Sequence, residues 1–536
     1  MEALDWLVIG VFFLALIGII VWVVRQKQND SADYFLGGRD ATWLAIGASI
    51  FASNIGSEHL IGLAGAGASS GMAMAHWEIQ GWMILILGWV FVPFYTRSMV
   101  YTMPEFLERR YNPQSRTILS VISLVSYVLT KVAVTVYAGG LVFQQVFGIK
   151  ELWGIDFFWI AAIGLVVLTA LYTIFGGMKS VLYTSVLQTP ILLLGSLIIL
   201  VLGFKELGGW DEMMRVCGAV TVNDYGDTMT NLIRSNDDAN FPWLGALIGS
   251  AIIGFWYWCT DQFIVQRVLS GKNEMEARRG TIFGAYLKLL PVFLFLIPGM
   301  IAFALHQKYI GAGGEGFLPM LENGTANADA AFPTLVAKLL PAGVKGLVVC
   351  GILAALMSSL ASLFNSSAML FTIDFYKRFR PQTSEKKLVG IGQVATVVIV
   401  ILGILWIPIM RSVGDVLYTY LQDVQSVLAP GIAAAFLLGI CWKRTSAQGG
   451  MWGLISGMVI GLTRLGAKVY YSNAGEVADS TFKYLFYDMN WLFFCGWMFL
   501  FCIIVVIVVS LATEAPTAEK IQGLVFGTAT KEQKAA

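Results

Sequence analysis

The chain has 536 residues, of which 57% are hydrophobic and only 13% are charged. Soluble domains carry a charged share of about one quarter, so this composition excludes a soluble globular enzyme, a disordered scaffold and a nucleic-acid-binding protein. The 35 basic and 34 acidic residues leave a net charge of +1, which gives no electrostatic attraction for an acidic partner.

Thirteen apolar runs are long enough to cross the hydrocarbon core of a bilayer as helices. Glu2 and Asp5 flank the start of the first run without any basic residue, so we interpret it as a span rather than a signal peptide. The sequence therefore predicts an all-α, polytopic membrane protein with about 13 transmembrane helices. The runs lie near 5–24, 42–69, 72–96, 117–147, 154–175, 180–204, 241–262, 279–305, 335–372, 388–409, 415–440, 447–467 and 485–511.

The distribution of basic residues predicts the orientation of the spans. The loops that follow odd-numbered spans carry clusters of Lys and Arg, whereas the longer loops at 205–240, 306–334 and 468–484 carry few for their length. By the positive-inside rule, the N-terminus lies outside a plasma (inner) membrane and the C-terminus lies in the cytoplasm. The tail at 512–536 has no further apolar run, and we expect it to be disordered.

The second span places polar side chains at the expected centre of the bilayer, namely Asn54, Ser57, Glu58 and His59. Small residues around them would allow close helix packing. An amide, a carboxylate and an imidazole at this depth carry a desolvation cost that favours a cavity or a binding site. A break in the helix at 52–56 would expose backbone carbonyls as cation ligands, as discontinuous helices do in secondary transporters.

A second break is predicted in the eleventh span, where Gln422 and two further polar residues come shortly before Pro430. A simple proline kink is the alternative interpretation. If spans two to eleven form a transport core, these breaks occupy its first and last helices. Other transporters break the first and sixth of ten core helices. We assign the sixth to the span at 279–305, which carries Lys288 and Pro291.

Few other polar groups lie within the spans. Glu78 and Lys288 form either an internal ion pair or two poles of a site for a polar ligand. Lys131 lies in the fourth span without an assigned role. Serine hydroxyls often bond carbonyls of their own helix, but the adjacent Ser358 and Ser359 also offer the oxygen ligands that replace the hydration shell of an alkali cation.

Four consecutive aromatic residues, at 255–258, occur in the seventh span. Trp and Tyr near the end of a span are commonly interface anchors. Four in a row point around the whole helix, so at least one faces the protein interior. A flat aromatic surface there would suit the apolar face of a sugar ring.

Several strings along the chain resemble the sodium/solute symporter family, and within it the sodium–glucose cotransporters. They run from DYFLGGR at 33–39 to CWKR at 441–444 and include ASNIGSEHLIGLAGAGASSG, MPEFLERRYN, WYWCTDQFIVQR, ALMSSLASLFNSSAMLFTIDFY and YLQDVQSVLAPGIAAAFLLGICWKR. The resemblance implies a core of two inverted five-helix repeats, the LeuT-type fold. The expected organisation is an extra N-terminal helix and loop at 1–41, a transport core at 42–440, two more helices at 441–511 and a tail at 512–536.

The resemblance also implies the site residues, position by position. The sodium ligands would be the backbone carbonyls of Ala52, Ile55 and Ala355 and the hydroxyls of Ser358 and Ser359. The residues that bond the sugar hydroxyls would be Asn54, His59, Glu78, Lys288 and Gln422, with Tyr257 stacked under the ring as the inner gate and Trp258 beside it. The outer gate would consist of Leu60, Trp77 and Tyr418.

The chain departs from the family pattern at three positions. Ser185 stands where members commonly carry aspartate, and Ala361 stands where members with a second sodium site often carry a hydroxyl. One sodium ion per substrate is therefore expected. Gln425 replaces a threonine that is frequent in related sugar transporters, so the recognition of hydroxyls is expected to differ.

The expected function is sodium-coupled import of a neutral hexose, such as glucose or galactose, by alternating access. The alternatives are a sodium symporter for another small solute, such as inositol, and a sodium-gated sugar sensor or channel. An enzyme is disfavoured, because no Ser/His or Asp/Asp pair recurs at helical spacing. The six cysteines predict neither a disulfide framework nor a metal cluster. The expected partners are the sugar, sodium and the lipid bilayer, without an organic cofactor, nucleic acid or obligate protein partner.

Overall fold

The computed structural model describes residues 1–26, 30–321, 324–413, 417–473 and 478–528, and it leaves out the side chains at 129–130, 409–423 and 473. Helices make up nearly all of the regular structure in these ranges. The strands there form one short antiparallel pair, Glu151–Leu152 with Ile155–Asp156. Nine helical segments of the described chain are long and apolar enough to cross a membrane.

Each of the thirteen predicted spans has a helical counterpart. Fifteen helices are labelled, because some spans comprise two helices and α7 comprises two spans. In chain order they are α1 (Ala3–Val24), α2 (Trp43–Asn54), α3 (Ala64–Ser69), α4 (Gly71–Ser98), α5 (Pro113–Ser126), α6 (Ala133–Phe147), α7 (Phe157–Leu207), α8 (Trp243–Thr260), α9 (Gln262–Leu269), α10 (Glu274–Gly311), α11 (Val344–Phe379), α12 (Glu385–Val413), α13 (Leu417–Cys441), α14 (Ala447–Asn473) and α15 (Trp491–Ala512). The second span consists of α2 and α3, joined by the π-helical turn Glu58–Leu63, and α5 continues into α6 through Tyr127–Val132. Shorter helices, such as Met103–Arg110 and Ala331–Leu339, lie between the spans.

The centre of the protein is α11, whose most apolar 18-residue window is 89% buried, against 22% for α1. Asp5 of α1 fastens that helix to the start of α11. Its Oδ1 accepts hydrogen bonds from the backbone N–H groups of Gly343, at 2.7 Å, and Gly346, at 2.8 Å. A carboxylate in this position satisfies N–H groups that have no partner within a helix.

The 51 residues of α7 contain the fifth and sixth predicted spans. A straight helix of this length would be far longer than a bilayer is thick. Gly177 reverses the chain, with φ 53° and ψ −150°. Residues on both sides of it reach the same part of α11, because Tyr172 Oη donates to the carbonyl of Met357 and Ser185 Oγ lies 3.2 Å from Ser358 Oγ.

Two helices of the core stop in the interior of the protein. Helix α2 ends at Asn54, and Ile55 then adopts extended backbone (φ −80°, ψ 109°). Helix α8 ends at Thr260, and Asp261 is likewise extended (φ −75°, ψ 128°) before α9 begins. The predicted break at 52–56 is therefore confirmed.

The assignment of the sixth core helix to the span at 279–305 is wrong. Counted from α2, the sixth helix is the broken pair α8 and α9, and its break lies at Asp261. The span at 279–305 is α10, whose α-helical first part ends at Leu287 and is followed by a turn at 288–290 and the π-helical stretch Val292–Leu296, so it is interrupted but is the seventh core helix, not the sixth. The polar Lys288 beside Pro291 indicated a break in the wrong helix.

The second predicted break, before Pro430, is also wrong. Helix α13 runs from Leu417 to Cys441 with Pro430 inside it. A proline removes one backbone donor, and tight packing of the next residue holds the helix together. A Cβ atom on Gly431 would lie 2.9 Å from the Cα atom of Gly457 in α14.

The tail is ordered in its described part, contrary to the expectation of disorder. Phe526 donates its backbone N–H to the carbonyl of Ile440 at 2.9 Å, and its ring lies 4.8 Å from the ring of Phe94. Val525 beside it is buried. Isolated apolar residues in a polar tail are too few to show up as a span, yet they are enough to dock the segment on the bundle.

We expect Gly177→Ala to lower the melting temperature of the purified protein. A residue with a side chain adopts this backbone at a cost of about 1–3 kcal/mol, and its Cβ atom would collide with the carbonyl oxygen of Tyr34. Gly164→Ala is the matched control, because a Cβ atom at Gly164 in the same helix has no neighbour within 4 Å. Thermal unfolding in detergent measures both variants. Equal melting temperatures would contradict the assigned role of Gly177.

Candidate functional site

Tyr257 of α8 separates two small polar cavities in the interior of the protein. Asn54 and Glu58, beside the break of the second span, line both cavities together with Tyr257. The first cavity is further lined by His59, Trp77, Glu78, Gln80, Ile253, Trp258, Lys288 and Gln425. The second is further lined by Ser53, Gly56, Ser57, Lys131, Thr135, Phe263, Ser359 and Leu363.

Three ionisable side chains form a closed cluster on the wall of the first cavity. Lys288 Nζ lies 2.6 Å from Glu78 Oε2, and His59 Nε2 lies 3.2 Å from Glu78 Oε1. Lys288 Nζ also lies 2.6 Å from His59 Nε2. All three side chains are buried. The interpretation of Glu78 and Lys288 as an internal ion pair is confirmed, and the pair also lines a polar cavity.

The side chain of Asn54 connects the end of α2 to Tyr257. Its Nδ2 donates a hydrogen bond of 2.8 Å to Tyr257 Oη. Its buried Oδ1 has no hydrogen-bond partner among the described residues. An unpaired buried acceptor costs about 1–3 kcal/mol, so a ligand hydroxyl that donated to it would be favoured.

Three aromatic side chains, Trp77, Tyr257 and Trp258, line the first cavity. The rings of Tyr257 and Trp258 meet edge to face at 4.9 Å, and Lys288 Nζ lies 5.7 Å from the Trp258 ring centre. The ring centre of Trp77, which also lines the cavity, lies 5.6 Å from the ring centre of Trp491 in α15. The flat faces of such rings complement the C–H face of a cyclic ligand.

The structure brings most of the predicted substrate and gate residues to this cavity: Asn54, His59, Trp77, Glu78, Tyr257, Trp258 and Lys288. Leu60 is buried nearby but does not line the cavity. The side chains of Tyr418 and Gln422 lie outside the described residues. Gln80 is a wall residue that the sequence did not indicate, because residues two apart on a helix do not share a face with each other and Glu78 therefore gave no signal for it.

The predicted sodium ligands converge where α2 ends against α11. Because α2 ends at Asn54, the carbonyl of Ala52 lies in its last turn, where carbonyls have no intrahelical donor, and Ile55 begins the extended segment. A Cβ atom on Gly56 would lie 3.2 Å from Ser359 Oγ. Ser358 is adjacent, and Ala355 lies about one turn earlier in α11.

The chemistry of this junction suits an alkali cation. Carbonyl and hydroxyl oxygens are hard ligands that can replace the water around sodium. In the part of the chain that the structure describes, no group of three His, Cys, Asp or Glu side chains could hold a metal ion.

A second buried ion pair lies at the break between α8 and α9. Lys131 Nζ lies 2.9 Å from Asp261 Oδ2 and 4.4 Å from the centre of the Tyr257 ring. The hydroxyl of Tyr127 donates to the same carboxylate, and Asp261 Oδ1 accepts the backbone N–H of Phe263 at the start of α9. Tyr257 is thus held by Asn54 at its hydroxyl and by the Lys131 ammonium at its ring.

The role of this pair was not predicted from the sequence. Lys131 was recognised as an intramembrane charge, but nothing in the sequence identified its partner, which lies 130 residues later. Asp261 stands inside the string WYWCTDQF, where it reads as the first polar residue after a span. Only the break at Asp261 shows that it lies in the interior.

Comparison with known proteins identifies relatives of the whole chain. The family model of the "Sodium:solute symporter family" matches residues 34–457. The chain is 36% identical to sodium/myo-inositol cotransporter 2 of Homo sapiens, over 98% of this chain and 79% of the relative. It is also 36% identical to sodium/glucose cotransporter 4 of Danio rerio, over 97% of this chain and 80% of the relative.

Solved structures support the same fold. A Na⁺-coupled sialic acid symporter in a substrate-bound outward-open state superposes with a TM-score of 0.78 at 21% identity, covering 96% of this chain and 99% of the other. Mhp1, a nucleobase-cation-symport-1 family transporter, superposes with a TM-score of 0.51 at 14% identity over 93% of this chain and 98% of the other. At these identities the likeness concerns the fold, a LeuT-type arrangement, and confirms the predicted fold class.

We expect Lys131→Met and Asp261→Asn each to destabilise the protein strongly, because each leaves a buried charge without its partner, at a cost of about 3–5 kcal/mol. The double variant should lose less than the sum of the two, which is the signature of direct coupling. The double-mutant cycle is completed by measuring the melting temperatures of the wild type, the two single variants and the double variant in detergent. Glu212→Gln, in the exposed pair Glu212–Arg215, should change little. Additive losses would show that the two charges are not coupled.

Proposed function

The chain belongs to the sodium:solute symporter family, whose members are transporters, and is therefore a multi-pass, sodium-coupled solute symporter; we propose that its substrate is a neutral cyclic polyol, either a hexose or an inositol. The named relatives support both rings, because cotransporters of myo-inositol and of glucose are equally similar to this chain. The hexose expected from the sequence is thus one of two candidates of equal standing.

The observation that carries the proposal is the pairing of charge in the first cavity. Lys288 is matched by Glu78, and His59 contacts both. A substrate carboxylate would find its natural partner already engaged by a carboxylate of the protein. Hydroxyl groups, in contrast, can both donate to and accept from such a cluster, and a site of this kind rejects analogues that leave its polar groups unpaired.

The remaining walls suit a ring with hydroxyls around its edge. Asn54 Oδ1 and Gln80 Oε1 are buried acceptors without partners among the described residues. Gln425 adds a third amide, in place of the threonine frequent in related sugar transporters. Tyr257 and Trp258 offer flat apolar surfaces for the C–H face of the ring. We include Gln422 among the residues that bind the hydroxyls, and Leu60, Trp77 and Tyr418 as the outer gate.

The contacts also suggest how sodium and substrate are coupled. Sodium bound by Ala52, Ile55, Ala355, Ser358 and Ser359 would hold the end of α2 against α11. Asn54 at that end bonds Tyr257, which lies between the two cavities. Sodium would thus stabilise the arrangement in which Tyr257 closes the path below the substrate. Loss of sodium would free α2 and let Tyr257 move, which is an alternating-access cycle in which both ligands favour the same state.

We further propose one sodium ion per substrate. Ser185 offers a hydroxyl, which donates to the carbonyl of Val181 at 2.6 Å, where a second site would need a carboxylate, and the buried Ala361 offers no hydroxyl. From the distribution of basic residues in the loops, we also propose that the N-terminus lies outside the plasma membrane and the C-terminus lies in the cytoplasm. The transport core is assigned to residues 42–440.

Uptake into proteoliposomes tests the substrate. With an inward sodium gradient, we expect concentrative uptake of radiolabelled myo-inositol or of a labelled hexose, and competition by unlabelled cyclic polyols. Removal of sodium should abolish the accumulation. Glu78→Gln should reduce uptake strongly, since it leaves Lys288 buried without its carboxylate, whereas Asp237→Asn in an exposed loop should not. Competition by sialic acid or proline, with none by polyols, would refute the assigned substrate class. Sodium-dependent binding without accumulation would indicate a sensor.

Replacement of Ser359 by alanine tests the cation site. The substitution removes one ligand oxygen and leaves α11 intact, so half-saturating sodium should rise several-fold while protein yield stays constant. Ser367→Ala is the matched control, because Ser367 is buried in the same helix and its hydroxyl has no partner among the described residues. Sodium titrations of substrate uptake provide the measurement. An unchanged sodium dependence in Ser359→Ala would place the ion elsewhere.

A further inference from the structure

Arg267 of α9 is a buried guanidinium without a carboxylate partner. Its side chain is 1% exposed. Its Nε donates to the hydroxyls of Ser49 and Ser53, each at 3.2 Å. Neither Nη1 nor Nη2 has a hydrogen-bond partner within the described residues. A buried charge that is neither paired nor fully hydrogen-bonded is strongly unfavourable.

The guanidinium is part of a ring of hydroxyl groups from three helices. Ser49 and Ser53 belong to α2, Ser185 to α7 and Ser358 to α11. Ser185 Oγ lies 3.4 Å from Ser49 Oγ and 3.2 Å from Ser358 Oγ, and Ser358 Oγ lies 3.4 Å from Ser53 Oγ. All four serines are buried. Hydroxyl groups rotate, and Ser185 would exchange its present hydrogen bond to the carbonyl of Val181, at 2.6 Å, for one to an acceptor shared with the other three serines.

In the part of the chain that the structure describes, Arg267 itself has no carboxylate partner, although Glu58 lines the neighbouring second cavity. The nearby carboxylate of Asp261 is already paired with Lys131 at 2.9 Å. Within the described residues, no carboxylate oxygen lies within ion-pair distance of Arg267. Ser358 is also a proposed sodium ligand, so a bound sodium ion would add a second positive charge beside the ring. What is missing is a negative partner next to the Arg267 guanidinium itself.

We propose that a small monovalent anion, chloride, binds beside Arg267 among the hydroxyls of Ser49, Ser53, Ser185 and Ser358. The donors present, one guanidinium and several hydroxyls, are those that hold a dehydrated halide. Chloride would neutralise Arg267 and thereby favour sodium binding at the neighbouring junction of α2 and α11. The anion site stands on Arg267 and the serines alone, whereas its coupling to sodium rests on the proposed sodium site.

Direct binding tests the anion site. Full-length protein in nanodiscs is titrated with radiolabelled chloride, with gluconate as the replacement anion, first without sodium and then with it. We expect saturable binding that sodium strengthens. Ser185→Asp places a carboxylate in the ring, which should supply the missing charge and weaken chloride binding by at least about tenfold, or about 1.4 kcal/mol. Ser185→Asn has nearly the same shape without the charge and should still bind chloride.

Sodium binding in the same nanodiscs tests the coupling. Wild-type protein should bind radiolabelled sodium several-fold more weakly in gluconate than in chloride, whereas Ser185→Asp should bind it equally well in both. An absence of saturable chloride binding to wild-type protein would overturn the anion site, as would unchanged chloride binding in Ser185→Asp. Chloride binding with no effect on sodium would overturn the coupling. These assays contain no organic substrate, so their results can be interpreted even if the protein does not transport polyols.

Discussion

The end of α2 at Asn54, in the interior of the bundle, is the constraint on which the rest of the site depends. A helix that stops away from water leaves carbonyl groups without donors, and a low-dielectric surrounding makes unpaired polar groups expensive. The chain meets this cost by placing the break against the serine pair of α11. An oxygen-rich junction between two helices is thereby created, and it can be completed by a cation. The same break sets Asn54 against Tyr257, so the cation junction and the polar cavity share one structural cause.

Buried charged side chains are also expensive in a low-dielectric surrounding unless they find partners, and in the described part of this protein most of them are paired with other charged side chains. His59, Glu78 and Lys288 neutralise one another beside the first cavity, and Lys131 with Asp261 does so below Tyr257. The pairs Glu78–Lys288 and Lys131–Asp261 join helices that are distant in sequence, so a movement of one of these helices against the other must either break the pair or keep its two members together. Arg267 is the exception, with a guanidinium that serine hydroxyls satisfy only in part. A transporter that alternates between two states would use such incomplete satisfaction, because a ligand can then decide which state is more stable.

Particular residues explain which breaks in the membrane helices could be predicted from the sequence and which could not. The break of the second span was predicted because Asn54 and His59 are polar in an apolar run, and no lipid-facing helix tolerates them. The break at Asp261 was missed, since a carboxylate at the end of an aromatic stretch looks like the edge of the membrane. Pro430 was read as a break, yet Gly431 packs so closely on Gly457 that the helix continues through it. Contacts with neighbouring helices decided whether the backbone of each helix continued or broke.

Most residues of the polar cavity were indicated by the resemblance to a transporter family. The sequence by itself determined that the protein is a helical membrane protein, the order of its helices and the first break. These follow from hydropathy and from the desolvation cost of polar groups, which depend on residue type and local spacing alone. Tertiary structure decided which charges pair, that Tyr257 lies between two cavities, that Gly177 folds α7 back on α11 and that Arg267 lacks a carboxylate. Such features depend on contacts between segments separated by more than a hundred residues, and hydrophobic pattern carries no information about which distant segment becomes the neighbour.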